Sequence, residues 1–228
     1  KGDGEQKVLF ARFAVLAWDL LRETPDPDMA LNNWERYAGS LPSKAEHYRQ
    51  LLNQPLQLEV LLSLFAGSQF LADTVIREPE LISWISRPKL IRSLRKTEDI
   101  LDELTAISNE TTDEESWMKA LRLVKKRELL RIGTRDICLG APFADVVTEI
   151  SRLADAILQV TLSRAWAEVI SDGAGEDGAS AGKQAERSGC AVFAFGKLGG
   201  EELNYSSDID LLAVFDSGGA GDELFSKV

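Results

Sequence analysis

The chain has 228 residues, 44% of them hydrophobic, which is enough apolar material for one large or two small domains. Its 37 acidic side chains outnumber 26 basic ones, a formal charge of −11 that argues against duplex nucleic acid as a partner, because binding it needs a basic face. Two cysteines and one histidine make no disulfide framework and no multi-histidine zinc site, and nothing near the histidine reads as a nucleophile elbow. Cys138 and Cys190 sit among apolar residues and read as core thiols, as expected in a reducing cytoplasm. His47 reads as a surface helix residue. The apolar stretch Val8–Leu21 is interrupted by Arg12 and Asp19 and is too short to cross a membrane.

Residues 1–6 read as a charged, unstructured start, followed by a helix over Gln6–Glu23 with Phe10, Phe13, Ala14, Ala17, Trp18 and Leu21 toward the core. Pro25 and Pro27 end it, and Asp28 is the expected cap of Met29–Ala38. Ser43 with Glu46 predicts a capping box for Lys44–Asn53. Further helices follow from Pro55 to Ala66 with Gly67 as C-cap, over Gln69–Arg77 behind Ser68, and over Pro79–Ser86 and Pro88–Arg95. Thr97 is the expected cap of a helix to Ile107, and Thr112 with Glu115 of a long helix, Asp113–Leu139. Phe143–Ile170 is the last, with Leu153, Ile157 and Val160 on one face. The five tryptophans all fall in apolar helical contexts and read as packing. The domain reading is a helical bundle or array of about nine helices over 1–170, a linker over 171–189 and the start of an α/β core over 190–228. Twelve of the nineteen linker residues are Gly, Ala or Ser, so burial there cannot repay ordering.

The long helix carries Lys119, Arg122, Lys125, Lys126, Arg127, Arg131 and Arg135 in an otherwise acidic protein. Two readings stand side by side. The cluster is a solvated face pairing with nearby acids, or Arg127, Arg131 or Arg135 helps hold a phosphate or an acidic partner surface.

The stretch Ala191–Asp216 is different in kind. It reads as a strand, Ala191–Phe195, a glycine-rich turn, Gly196-Lys197-Leu198-Gly199-Gly200, and a second apolar strand opening with Asp208-Ile209-Asp210. On a strand, residues i and i+2 share a face roughly 6.5–7 Å apart. On a helix they point about 200° apart. Two carboxylates at the end of a buried strand call for a cation, and hard oxygen donors suit Mg²⁺ or Mn²⁺. Glycine amides at Gly196, Gly199 and Gly200 with Lys197 offer an anion cradle, and Ser206 and Ser207 add hydroxyl donors. An anion cradle facing a divalent-metal site is a nucleotide site in outline.

Ten residues, Leu198–Ser207, separate Gly196-Lys197 from Asp208. Phe195, Gly196, Lys197, Asp208, Ile209 and Asp210 thereby resemble the signature of the polymerase-β-type nucleotidyltransferase superfamily, with Lys197 where a small residue is usual. The longer string FGKLGGEELNYSSDIDL resembles the active-site segment of the bifunctional glutamine synthetase adenylyltransferases. Upstream, Leu64–Ile85 and Lys126–Gly140 are similar to segments preceding the first catalytic domain of that family. Leu203, Asn204, Ser206, Ser207 and Ile209 favour the copy that removes AMP over the copy that adds it.

The resemblance implies an α+β chain: a mostly α-helical N-terminal part, then the first strands of a polymerase-β-like mixed sheet. It implies a Mg²⁺- or Mn²⁺-dependent reaction in which phosphate releases the AMP of adenylylated glutamine synthetase as ADP. Asp208 and Asp210 would hold metal. Gly196, Lys197, Gly199, Gly200, Ser206 and Ser207 would line the nucleotide and phosphate pocket. ATP, ADP and AMP are the implied nucleotides, and a PII-type nitrogen regulator the second protein partner. The superfamily places a third carboxylate on a later strand. Asp216 lies roughly 20 Å along the strand from Asp210 at ~3.3 Å per residue, so that acid is expected beyond Val228 and the 228 residues alone are expected to be inactive. The lack of a starting methionine likewise suggests a piece of a longer protein. The AMP-adding copy, another nucleotidyltransferase such as a uridylyltransferase of the PII regulator or a drug-modifying enzyme, and a non-catalytic helical docking scaffold remain as alternatives.

Overall fold

The structure, a computed structural model, describes residues 2–173 and 190–215. Among them are ten helices, a two-stranded ribbon and a short helical turn, so the chain is α+β as expected. The helices are α1 (Gly2–Arg22), α2 (Pro27–Ser40), α3 (Lys44–Asn53), α4 (Pro55–Gly67), α5 (Gln69–Arg77), α6 (Leu81–Ile85), α7 (Pro88–Arg92), α8 (Thr97–Glu110), α9 (Glu114–Leu139) and α10 (Phe143–Gly173). Strand β1 (Cys190–Phe195), the turn α11 (Gly196–Gly199) and strand β2 (Asp210–Phe215) complete the order. Residues 174–189, most of the expected linker, and 216–228 lie outside the described residues, as does the side chain of Cys190.

Proline and small polar residues set the helix boundaries, with three corrections. Asp26, not Asp28, caps α2, accepting the Met29 amide at 2.9 Å while Pro27 occupies the first turn, where its missing N–H costs nothing. Asp113, not Thr112, accepts the Ser116 amide at 2.8 Å ahead of α9. Thr97 is the first residue of α8 rather than its cap, and its predecessor Lys96 makes no side-chain cap. Ser43 and Ser68 cap α3 and α5 as the sequence indicates.

The chain divides into two compact units, residues 1–94 with 126–146 and residues 95–125 with 147–228. In the first, Leu58, Leu61, Leu64 and Phe65 of α4 are fully buried among residues of α1, α2, α5 and α6. The Phe13 ring stacks on Trp34 at 4.4 Å and on Tyr48 at 5.2 Å, and Tyr37 meets Phe65 edge-on. Helix α1 is less deeply set than its apolar sequence suggests. Phe13, Ala17 and Leu21 are buried, but Phe10 is half-exposed and Trp18 is exposed, because only one stripe of a helix can face a neighbour. Trp34 and Trp117 are buried, Trp84 and Trp166 half-buried.

His47 is a further correction. It is buried, its ring edge-on to that of Tyr37 with the centroids 5.1 Å apart, and burial lowers its pKa to about 4. Cys138 is half-buried, and its pKa is raised to about 11, mainly by burial, as a packed thiol requires. The basic cluster of α9 is not one solvated face. Arg131 is 1% exposed and bonded to the equally buried Glu128 at 2.9 Å, Arg135 is buried, and Arg127 lies 4.9 Å over the Trp84 ring. Lys119, Arg122 and Lys125 are exposed, whereas Lys126 pairs with Glu78 at 2.6 Å.

In the second unit, Arg164 of α10 ties down the end of α8. Its Nη1 donates to the carbonyls of Ser108 and Thr111, both at 3.0 Å, and its guanidinium lies over Trp117. Those carbonyls close the last turn of α8, where no intrahelical donor remains for them. Strands β1 and β2 pair antiparallel, Cys190 with Phe215 through Phe195 with Asp210.

Candidate active site

The strand register builds the site. Pairing Phe195 with Asp210 places the end of β1 beside the first residue of β2, so the glycine turn and the second aspartate meet. Gly196 has φ of +58°, a backbone that L side chains rarely adopt. A Cβ there would stand 3.4 Å from the Asp210 Oδ2. The absent side chain therefore leaves open ground between the turn and the carboxylate. Gly199 is required for a different reason: a Cβ would come within 2.4 Å of the Ala194 carbonyl oxygen, so the turn can fold back on β1 only without one.

Strand β2 begins with Asp210, and Asp208 lies two residues before it, outside the strand. Both are exposed, as are Ile209, Leu211, Leu212 and Val214, which corrects the expectation of a buried strand end. The donor set fits Mg²⁺ or Mn²⁺ by its chemistry: hard carboxylate and hydroxyl oxygens, with neither histidine nor cysteine in the segment from Gly196 to Asp210. Among the described residues, no group of three or more His, Cys, Asp or Glu side chains is placed to hold a metal.

The turn uses part of its own polar inventory. The amide of Gly200 donates to the Gly196 carbonyl at 3.1 Å, and that of Glu202 to the Lys197 carbonyl at 2.8 Å. The Gly200 amide is thus spent inside the turn instead of facing a ligand. Glu201 takes φ of +54°, the one non-glycine residue with positive φ among those described. Lys197 is exposed.

A compact knot follows. The Asn204 Oδ1 accepts the Ser206 amide at 3.1 Å and the Ser207 hydroxyl at 2.7 Å, and the Ser207 Oγ accepts the Asn204 amide at 3.1 Å. Such an Asx turn lets a side chain stand in for backbone pairing. The one hydroxyl proton of Ser207 is committed to Asn204, whereas Ser206 is exposed. Tyr205 is half-buried, in keeping with a packing role.

Two helix residues belong to this neighbourhood without any motif to announce them. The Ser151 Oγ of α10 accepts the Leu203 amide at 3.0 Å, and both residues are buried. One turn on, Asp155 has its carboxyl pushed above the usual range by partial burial and then by the Glu201 carboxylate. Ser151 lies in an apolar helical face, EISRLADAILQV, where a small hydroxyl among aliphatic residues is the only available signal.

The family profile of glutamate-ammonia ligase adenylyltransferase matches residues 58–224, which takes in the helices from α4 onward together with the glycine turn and both aspartates. The chain therefore belongs to the glutamate-ammonia ligase adenylyltransferase family, nucleotidyltransferases that act on glutamine synthetase.

Proposed function

We propose that this chain carries the site that removes AMP from adenylylated glutamine synthetase by phosphorolysis. The observation that carries the reading is the Asp210 carboxylate beside Gly196, which brings one acid of the pair to the glycine turn. A phosphate oxygen would attack the phosphorus of the AMP, the bond from that phosphorus to the tyrosine oxygen would break, and ADP and free tyrosine would leave, the tyrosine taking up a proton. Asp208 and Asp210 would hold Mg²⁺ or Mn²⁺. The bound cation would supply charge neutralisation at the phosphoryl oxygens in the in-line transition state. Gly196 lets the nucleotide phosphates approach the backbone, Gly199 lets the turn fold back on β1, and Lys197 and Ser206, both exposed, would supply a cation and a hydroxyl donor. Gly200 and Ser207 serve by shaping the turn and the knot. A PII-type regulator and a cytoplasmic setting accompany this reading.

The sequence ELNYSSDIDL supports removal over addition of AMP by its resemblance to the first catalytic copy. The test is Asp208→Asn with Asp210→Asn in the enzyme that contains this chain, with both half-reactions followed on glutamine synthetase. Loss of phosphate-dependent AMP removal with ATP-dependent AMP addition intact is the expected result. Loss of addition alone reverses the assignment, and survival of both makes the aspartates structural.

A further inference from the structure

We propose that Ser151, on helix α10 and outside the glycine–aspartate motif, is a positioning residue for Asp208. The role rests on the reading of the acid pair as metal ligands. Each aspartate has its own anchor. Asp210 is held by strand pairing to Phe195. Asp208 lies outside the strand, and the chain before it is fixed in another way.

The Ser151 hydroxyl donates its single proton to the Val147 carbonyl at 2.9 Å, one turn back along α10. This bond sets the side-chain rotamer, leaving a lone pair aimed in a fixed direction. The Leu203 amide occupies it at 3.0 Å, across 52 residues of sequence. Ser151 is fully buried and Leu203 is 5% exposed, so water has no access to replace either partner. The next residue, Asn204, ties itself to Ser206 and Ser207 through the knot described above and through the Ser207 amide on its carbonyl at 3.3 Å. Residues 203–207 are thus a closed piece hung from α10, and Asp208 is the next residue. A buried serine adds nothing to a helix that alanine would not supply better, since its back-bond competes with the helical ladder. The hydroxyl's contribution here is the acceptor it offers the loop.

The test is Mn²⁺ titration of the ¹⁵N-labelled enzyme that contains this chain, read by paramagnetic broadening of the Ser206–Leu211 amides. Ser151→Ala is expected to weaken Mn²⁺ binding about tenfold by leaving the Leu203 amide unpaired, with Ser151→Thr restoring it. Asp208→Asn is expected to cost a similar factor, and adding Ser151→Ala to it to cost nothing more, because Ser151 acts through Asp208. Unchanged affinity in Ser151→Ala, or additive losses in the double variant, overturns the role. Should Ser151→Ala fail to fold, hydrogen exchange of the Leu203 amide in the wild-type chain decides. Slow exchange, although this residue lies in neither helix nor strand, is expected; exchange at the unprotected rate overturns it. Absence of Mn²⁺ binding by the wild-type enzyme that contains this chain removes the metal reading and this role together, whereas intact wild-type binding unmoved by Ser151→Ala removes this role alone.

Discussion

Helix α4 and strand β2 are both runs of apolar residues, yet one is closed and the other open. Leu58, Leu61, Leu64 and Phe65 are fully buried, whereas Leu211, Leu212 and Val214 are each more than 40% exposed. The difference is one of partners. Helix α4 lies in a core to which α1, α2, α5 and α6 contribute, while among the described residues β2 pairs only with β1. A lone two-stranded ribbon is marginal in water. The stability of the helical core and the placement of the acid pair are therefore set by different contacts, and substitutions separate them.

The largest effect belongs to the core. Phe65→Ala is expected to cost about 3–5 kcal/mol in denaturant unfolding, from lost burial and the cavity left behind. A cost below 1 kcal/mol would show that the helical core is not closed. Gly199→Ala comes next, and its effect is local. Its new Cβ meets the Ala194 carbonyl oxygen, so the turn must shift, at about 1–3 kcal/mol typical of overpacking. Amide spectra should change in β1, α11 and the loop to Asp210 while the helical core melts as before. A lowered global melt with unaltered ribbon spectra would erase the distinction.

His47 sharpens the comparison from the core side. Folded, it stays neutral down to about pH 4, whereas the unfolded chain takes a proton near the ordinary value of 6.5. The unfolded state binds more protons between those values, so stability is full above pH 6.5 and falls as the pH drops toward 4. The loss is on the order of 1–2 kcal/mol once solvent screening is allowed for. Denaturation midpoints across this range measure it, and His47→Phe should flatten the curve there. An unchanged curve in His47→Phe would assign the pH dependence to other groups.

The smallest effect concerns a helix start. Asp26→Ala should cost about 1 kcal/mol and Asp28→Ala much less, because the Met29 amide bonds to Asp26. Equal costs would contradict the observed cap.

These cases also show what the sequence made legible. The helices could be read because proline, glycine and serine punctuate apolar periodicity, and Ser43 and Ser68 cap where expected. The sequence points to Asp28 and Thr112 as caps, whereas the geometry gives those roles to Asp26 and Asp113. Burial was less legible: His47 and Arg131 are polar by type but face inward, because helical position and a nearby Glu128 settle their surroundings. At the site, the glycines and aspartates declared themselves by spacing. Ser151 did not, since its partner lies 52 residues away and one serine in an apolar helix carries no pattern.

The most direct measurement is a Mn²⁺ titration comparing the wild-type chain with Asp210→Asn. A single metal–phosphate locus predicts that the Gly196–Gly199 and Ser206–Leu211 amides broaden together at low Mn²⁺, and that Asp210→Asn abolishes both sets. Broadening that spares the glycine turn, or that persists in Asp210→Asn and centres on Asp155 and Glu201, would contradict the account.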